Sequence, residues 1–228
     1  MRKLDQKDLT WAVQRLPFVV KDMMELYPRK IVLGGGYLRA IVSSEPVNDL
    51  DLFTGSAESS LEFASLLALK VGRKVYSTDN AHTIRLPNGT CVQFIHRWVF
   101  HNPEALLESF DFTIACAAIW AAHGKTWESL ADDNFYSDLA AKRLVYRSPI
   151  RNEDAGGSLL RVLKYYRKNY RIPLDSLGAV LARMYNGVTA EGWHEPELAL
   201  ELTKALVVVD PQVDPFHEAH LPASEVSE

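Results

Sequence analysis

The stretch that most constrains the fold runs from Ile31 to Phe53, with the sequence IVLGGGYLRAIVSSEPVNDLDLF. A short apolar run leads into the three glycines Gly34 to Gly36, a mostly apolar segment follows, and the stretch ends in Asp-Leu-Asp-Leu-Phe. This pattern predicts a strand, a glycine turn, a short helix and a second strand. Because side chains alternate along a strand, we expect Asp49 and Asp51 on one face and the two leucines on the other.

The paired carboxylates indicate a metal site. Two like charges side by side on a strand repel each other, and a cation between them removes that cost. Hard divalent cations bind carboxylate oxygens, so we expect Asp49 and Asp51 to hold Mg²⁺ or Mn²⁺. The glycines before them allow backbone N–H groups to approach an anion, which a helix start also favours. A metal beside a phosphate-binding turn suggests phosphoryl or nucleotidyl transfer.

The same residues resemble a known family. A Gly-Gly turn, an arginine and a later Asp-x-Asp strand stand in this chain at Gly35, Gly36, Arg39, Asp49 and Asp51. This arrangement resembles the polymerase β-type nucleotidyltransferase superfamily, and it is most similar to the head domain of CCA-adding enzymes and bacterial poly(A) polymerases. The resemblance implies an α+β fold, a small mixed sheet flanked by helices and followed by a small helical region. It also implies that the two glycines approach the nucleotide phosphates, near which Arg39 neutralises charge.

Two positions depart from the family pattern. The family usually has an aspartate directly after the arginine, where this chain has Ala40. Many members of the superfamily place a third carboxylate on a later strand, where this chain has Gln93. A neutral amide is a poorer metal ligand than a carboxylate and cannot act as a base. These departures leave open a catalytically inactive binding or regulatory module.

A second motif lies at residues 110–113, with the sequence Phe-Asp-Phe-Thr. It resembles the family's Asp-Phe-Thr motif beside the nucleotide sugar, which makes Asp111 a candidate nucleotide-binding residue. The family usually has two arginines before this aspartate, where this chain has Ser109 and Phe110. The alternative is that Asp111 caps the segment that follows it.

A basic stretch covers residues 142–171. We expect Ser158 to cap a helix that reaches Tyr170, with its basic residues on one face and Leu159, Leu163, Tyr166 and Tyr170 on the other. The helix resembles the arginine-bearing helix that closes over the nucleotide base in the family. The resemblance makes Arg161 and Lys164 candidate nucleotide-binding residues, while Lys168 and Arg171 are candidates for nucleic-acid binding. The alternative is a solvated basic face on an amphipathic helix.

Composition places the chain among ordinary soluble globular proteins, since 47% of its 228 residues are hydrophobic and 24% are charged. The formal net charge of -4 excludes a global nucleic-acid signature, so any such contact must come from a local patch. The two cysteines, Cys91 and Cys116, are predicted to be reduced and buried. Because no signal peptide and no apolar run of membrane-spanning length is visible, we expect a cytoplasmic protein without a membrane partner.

Periodicity and turn signals predict the other elements. Helices are expected over 8–27, 57–71, 104–108, 174–185 and 195–209, and strands over 74–77, 82–86 and 91–95. Pro17 is expected to kink the first helix, and the Pro-Asn-Gly sequence at 87–89 to form a hairpin turn. We predict a nucleotidyltransferase head over 1–147, a helical domain closing on the nucleotide site over 148–215, and a flexible tail over 216–228.

These observations predict a metal-dependent nucleotidyltransferase. It would move a nucleoside monophosphate from an NTP, either ATP or CTP, to an acceptor hydroxyl and release pyrophosphate, with an RNA or tRNA end as the acceptor. A dinucleotide-binding oxidoreductase is a further alternative, because glycines follow a strand. In that motif the third small position would be Arg39, whose side chain obstructs close packing of helix on strand.

Overall fold

The computed structural model describes residues 1–47, 49–149, 155–187 and 195–207. The chain divides into two compact units, residues 1–150 and 151–228. The first unit contains a seven-stranded sheet with helices packed on it, and the described part of the second contains three helices. The fold is therefore of the predicted α+β class. The predicted flexible tail and its two histidines, His217 and His220, lie outside the described residues.

The sheet has β2 at its centre, in the order β3-β4-β5-β2-β1-β6-β7. Its strands are β1 Ile31–Gly34, β2 Asp49–Thr54, β3 Tyr76–Ser77, β4 Ala81–Arg85, β5 Cys91–Ile95, β6 Ala117–Ala121 and β7 Trp127–Ala131. β2 pairs in parallel with β5 and antiparallel with β1, and the other neighbours are antiparallel. The dinucleotide-binding alternative is wrong, because that fold requires its first two strands to run parallel through a helical crossover.

Helices of the first unit are α1 Gln6–Gln14, α2 Phe18–Leu26, α3 Gly36–Val42, α4 Ala57–Val71, α5 Pro103–Glu108 and α6 Phe135–Ala140. Short 3₁₀ helices cover Thr113–Ala115 and His123–Lys125. The single kinked helix predicted over 8–27 is wrong, because the chain forms two separate helices on either side of Pro17. Pro17 stands at the N-cap of α2, where its missing N–H breaks no helical hydrogen bond.

The hairpin turn predicted at 87–89 is confirmed, and side-chain caps begin α4 and α5. The Ser56 hydroxyl accepts a hydrogen bond from the backbone N–H of Ser59 at 3.1 Å, and α4 ends where expected. The Asn102 side chain accepts one from the N–H of Ala105 at 2.7 Å and begins α5. Gly89 adopts a positive φ of 88° in the hairpin between β4 and β5. These local signals place the strands that carry the site.

The two faces of the sheet differ in what covers them. On one, which we name the covered face, the core side chains of β1, β2 and β5 are almost completely buried, among them Leu33, Leu50, Leu52, Val92 and Phe94. Helices α2, α3 and α4 contact the strands of the sheet. The other, which we name the open face, carries Asp49 and Asp51, both half-buried. On the open face α5 packs over Phe53 and Ala118, with Val32, Ile95 and Leu130 beside them.

The described helices of the second unit are α7 Ala155–Tyr166, α8 Leu174–Asn186 and α9 Glu195–Val207. The prediction that Ser158 caps a helix to Tyr170 is wrong, because Ser158 is buried inside α7, which ends at Tyr166. Asn169 has a left-handed φ of 65°, a conformation that asparagine tolerates and that terminates helices.

The predicted apolar face of this helix is also wrong. Leu163 and Tyr166 are exposed, whereas Leu160 and Tyr165 are buried. The buried side follows from the packing partners of α7, which contacts both α8 and α9. Within the described part of the chain, no helix is both long enough and apolar enough to cross a membrane.

Candidate active site

The two carboxylates lie on β2, the central strand, and both point to the open face. Their burial alternates with that of the leucines beside them, as predicted. Asp51 stands opposite Gly34 of β1 on one side and opposite Gln93 of β5 on the other. Asp49 stands opposite Cys91. The register therefore brings the end of the glycine turn, the carboxylates and the predicted third-ligand position into one part of the sheet.

The glycine turn packs directly against this pair. Gly35 has a φ of 76°, which L-residues with a side chain rarely adopt. Its N–H donates to the carbonyl of Ala117 at 3.3 Å, which holds the turn to β6. A Cβ at Gly35 would lie 3.6 Å from Oδ2 of Asp51. A side chain at Gly35 would thus be in van der Waals contact with the carboxylate, and the fold joins the two halves of the motif as the sequence predicted.

Arg39 lies in α3 behind the turn and is only 5% exposed. Its Nη1 forms an ion pair with Oε2 of Glu45, and its Nη2 lies 4.0 Å from the position of a Cβ on Gly36. The N–H of Glu45 donates to the carbonyl of Ala40 at 2.8 Å, so the ion pair ties the loop after α3 to the helix. The guanidinium is near the turn, as expected, and Glu45 already counters part of its charge.

Asp111 is buried next to a strand-like segment at 145–147. Its carbonyl accepts from the N–H of Arg147 at 2.8 Å, and the N–H of Thr113 donates to the carbonyl of Val145 at 3.1 Å. Phe112, not Asp111, occupies the N-cap of the 3₁₀ helix that follows. The capping alternative for Asp111 is therefore wrong, and its role in nucleotide binding stays a prediction.

Phe110 occupies a position where the family has an arginine. Its ring packs edge-on against Phe53, with ring centroids 6.1 Å apart. A Cβ on Gly34 would lie 3.2 Å from this ring, and one on Gly35 would lie 3.7 Å from it. An apolar ring thus packs against the glycine turn, and no guanidinium extends from this position toward the site.

The two cysteines differ in their surroundings. Cys116 is fully buried beneath the site, and burial raises the pKa of its thiol to about 12, although the nearby Arg147 guanidinium opposes the shift. Its Sγ lies 3.2 Å from the carbonyl of Phe112 and 3.0 Å from Nη1 of Arg147. These contacts make Cys116 part of the core, as predicted.

Cys91 is only half-buried, so the prediction that both cysteines are buried is wrong for it. Burial raises the pKa of its thiol. The negative charges of Asp49 and Asp51 raise this pKa further, while the guanidinium of Arg85 lowers it. Cys91 therefore lies within electrostatic range of both carboxylates and of a cation on β4. The sequence did not suggest Arg85, although the hairpin turn at 87–89 could have fixed its register with Cys91.

The basic candidates all belong to the second unit. Arg161 and Lys164 lie on α7 and are half-buried. Lys168 and Arg171 lie beyond the end of the helix, so they do not share its face as expected. The Arg171 guanidinium lies 4.8 Å from the centre of the Tyr166 ring. Aromatic stacking thus occupies one of the two predicted nucleic-acid contacts.

The fold and the paired carboxylates define a polymerase β-type nucleotidyltransferase fold, and solved structures agree. A Thermotoga maritima CCA-adding enzyme complexed with tRNA matches 89% of this chain and 50% of its own, with 19% identity and a TM-score of 0.60. A CCA-adding enzyme complexed with ATP matches 90% and 50%, with 20% identity and a TM-score of 0.62. One with CTP matches 86% and 49%, with 18% identity and a TM-score of 0.58.

More particularly, the chain belongs to the Gabija anti-defense 2 family, whose model matches residues 9–142. A curated relative named Gabija anti-defense 2, from Bacillus phage SPbetaL7, is 25% identical over 158 residues. That match covers 68% of this chain but 38% of the relative. The chain thus spans well under half the length of this relative and about half the length of the solved neighbours.

Proposed function

We propose that this protein is a metal-dependent nucleotidyltransferase. Asp49 and Asp51 would hold Mg²⁺ or Mn²⁺, and Gly35 and Gly36 would approach the phosphates of an NTP. One observation carries the proposal: two carboxylates project from the central strand onto the open face, and the glycine turn lies so close to one of them that a Cβ at Gly35 would contact it. The solved neighbours complexed with ATP and CTP support an NTP as the substrate.

The donor set fits a cation that is shared with the substrate. Among the described residues, no three His, Cys, Asp or Glu side chains come together to hold a metal. Mg²⁺ usually takes only one or two carboxylates and completes its coordination with water and substrate phosphates. Two carboxylates with a neutral amide at Gln93 suit that arrangement. We therefore expect the protein to bind Mg²⁺ and NTP more tightly together than either alone.

In the proposed reaction, the acceptor hydroxyl oxygen forms a bond to the α-phosphorus of the NTP. The bond from that phosphorus to the β-phosphate oxygen breaks, and pyrophosphate leaves. The bound cation supplies neutralisation of phosphate charge. The chain itself holds the triphosphate in position with its turn and fixes the cation with its carboxylates. Gln93 cannot accept a proton, so the proton of the acceptor hydroxyl passes to solvent water.

The acceptor that we propose is the end of an RNA or tRNA. The solved neighbour complexed with tRNA supports it, as do two cations, the half-buried Lys168 and the exposed Arg171. We propose that Asp111, Arg161 and Lys164 contact the nucleotide. The family description names an anti-defense role, and we propose that nucleotide transfer to a host RNA serves that role.

Incubation with each α-labelled NTP and Mg²⁺ or Mn²⁺, against total RNA and against the protein itself, tests the transfer. Label should enter RNA with wild type and with the control Asp22→Asn, whose carboxylate lies on α2 in a surface ion pair with Lys70. Label should be lost with Asp51→Asn. Labelling of the protein instead of RNA would replace the proposed acceptor, and labelling by Asp51→Asn would exclude the proposed site.

A second candidate function follows from Gln93, which stands directly opposite Asp51. Without a third carboxylate the site could bind a nucleotide and transfer nothing, acting as a binding or regulatory module. Wild type would then bind Mg²⁺–ATP and label no acceptor. Gln93→Asp separates the two candidates, because it should raise transfer in an active enzyme and create no transfer in a module that lacks an acceptor.

A further inference from the structure

A row of side chains leads from the carboxylates to the edge of the sheet. Residues in register on neighbouring strands point to the same face. Asp51 is in register with Gln93, which is in register with Thr83 of β4, and Thr83 with Tyr76 of β3. We name Gln93, Thr83 and Tyr76 the edge row. It lies on the open face and ends at an edge strand.

A second, parallel row brings a cation beside the first. Asp49 is in register with Cys91, and Cys91 with Arg85 at the end of β4. The register therefore places Arg85 on the open face, two strands from Asp49. Strands lie about 4.8 Å apart, which places the Cα of Arg85 roughly 10 Å from that of Asp49 and the Cα of Tyr76 roughly 14 Å from that of Asp51.

Exposure distinguishes the edge from the centre of the sheet. Gln93 and Thr83 are half-buried, whereas Arg85 is exposed and Tyr76 is 64% exposed. The apolar cluster under α5 lies around Phe53, toward β1 and β6, and contains no residue of β3 or β4. An extended ligand could therefore lie along the edge row from solvent to Asp51.

The chemistry of this surface suits single-stranded nucleic acid. An exposed aromatic ring offers a stacking platform for a base, and an arginine beside it offers a phosphate contact. The edge row itself contains neutral hydrogen-bonding groups and no carboxylate, so it does not repel a phosphodiester backbone. Arg73 and Lys74, just before β3, are exposed and add positive charge at the same edge.

We propose that the edge row, with Arg85, is the binding site for the acceptor strand, a single-stranded nucleic acid with a free 3′ hydroxyl. This proposal rests on the proposed transfer function, whose acceptor it identifies by class. The terminal nucleotide would lie over Gln93 with its hydroxyl toward Asp51. The preceding nucleotide would stack on Tyr76 and place a phosphate at Arg85.

Fluorescence anisotropy with a 5′-labelled ten-nucleotide RNA, and with DNA of the same sequence, tests the site. The double variant Tyr76→Ala/Arg85→Ala should bind the strands about tenfold or more weakly than wild type. Arg85→Ala alone should reduce the slope of log affinity against log salt by about 0.7, the value of one lost phosphate contact on a single strand. Tyr76→Phe, which keeps the ring, should bind as wild type does.

A matched control is Phe18→Ala/Lys21→Ala, which removes an exposed ring and a cation from α2 and should leave binding unchanged. Mg²⁺–ATP affinity, measured separately, should be equal in wild type and in the edge variants, which also shows that they fold.

If the edge variants bind strands as wild type does, the proposal is overturned whether or not ATP binds. Strand binding lost equally in the α2 control would overturn it as well. If ATP fails to bind wild type, the transfer function fails, and strand binding still decides whether the edge row is a nucleic-acid site.

Discussion

The two faces of β2 show how one short strand serves both folding and chemistry. On the covered face, Leu50 and Leu52 are 1% and 0% exposed and lie among apolar neighbours. On the open face, Asp49 and Asp51 alternate with them, half-buried and near each other. Burial of each leucine contributes about 1.5–3 kcal/mol relative to exposure. Packing on one face thus allows the strand to tolerate two like charges on the other.

This difference implies that substitutions on the two faces have opposite consequences. A change on the covered face should lower stability and reduce activity only through the loss of folded protein. A change on the open face should reduce activity and leave the free energy of unfolding nearly unchanged or higher. This combination of lost activity and retained stability is expected of a site built from repelling charges, because the repulsion is relieved only when a ligand binds.

The largest effect is expected from Asp51→Asn. Nucleotide transfer should fall by about 10³-fold or more, because a bound cation supplies several kcal/mol of transition-state stabilisation. In EDTA the variant should melt no lower than wild type, since it removes one of two like charges at nearly constant volume. Thermal melts in EDTA and in saturating Mg²⁺, together with a transfer assay, measure both effects.

Wild type should gain stability from Mg²⁺ or Mn²⁺, and Asp51→Asn should lose most of that gain. Asp22→Asn is the matched control, since its carboxylate lies on the surface of α2. A metal-free Asp51→Asn protein that melts distinctly lower than wild type would assign a structural role to this carboxylate.

Leu52→Ala is the corresponding change on the covered face. Leu52 is fully buried, so its truncation should lower the free energy of unfolding by about 2–5 kcal/mol. Transfer per folded molecule should remain close to that of wild type. Urea unfolding and a transfer assay at low temperature measure the two quantities. Leu163→Ala, on an exposed position of α7, is the control and should cost much less.

Gly35→Val adds a branched side chain where the glycine turn approaches the open face. The positive φ of Gly35 costs a residue with a Cβ about 1–3 kcal/mol, and the added methyl groups would meet Oδ2 of Asp51 and the Phe110 ring. We expect ATP affinity to fall at least tenfold while the fold is retained. Calorimetry with Mg²⁺–ATP measures this affinity. The control variant is Gly55→Val, because a Cβ at Gly55 would meet nothing within 4 Å. Wild-type affinity in Gly35→Val would locate the phosphate site elsewhere.

Much of the site could be predicted because its signals are local. Alternation along β2, the glycines before α3 and the serine and asparagine caps each depend on a few adjacent residues. The position of Gln93 beside Asp51 was also predictable, since the family pattern places a ligand on that strand. The edge row was not predicted, because the register of three strands has to be known before Thr83 and Tyr76 come into line with Asp51.

Two of the misses share a physical cause, which is packing between distant segments. β6, which the sequence did not predict, is an alanine-rich run. It forms a strand because it pairs with β1 and β7 and not because its residues favour strands. The apolar stripe of α7 offered two faces, and contacts with α8 and α9 decide which is buried. A single asparagine, Asn169, ends the segment that periodicity predicted as one continuous helix.

Cys91 provides a measurement of the open face that does not depend on catalysis. Its pKa is raised by burial first and then by the charges of Asp49 and Asp51, so its thiolate fraction at pH 8 is low. Because Asp51→Asn removes one of those charges, the pKa should fall and alkylation by iodoacetamide should become roughly two- to fivefold faster. Cys116 should not react, since it is buried with a pKa of about 12.

The smallest predicted effect is the response of this thiol to Mg²⁺. A cation held by Asp49 and Asp51 cancels the charges that raise the pKa of Cys91, so in wild type Mg²⁺ should move the pH midpoint of alkylation downward. In Asp51→Asn the midpoint should already be lower and should respond little to Mg²⁺. Adding ATP with Mg²⁺ should slow labelling, because the nucleotide covers the face.

The control variant is Cys91→Ser, which should show no labelling in the folded protein and so assigns the signal to Cys91. A wild-type midpoint that several millimolar Mg²⁺ leaves unchanged would show that the carboxylates hold no cation in the absence of nucleotide, and the metal would then have to arrive with the NTP.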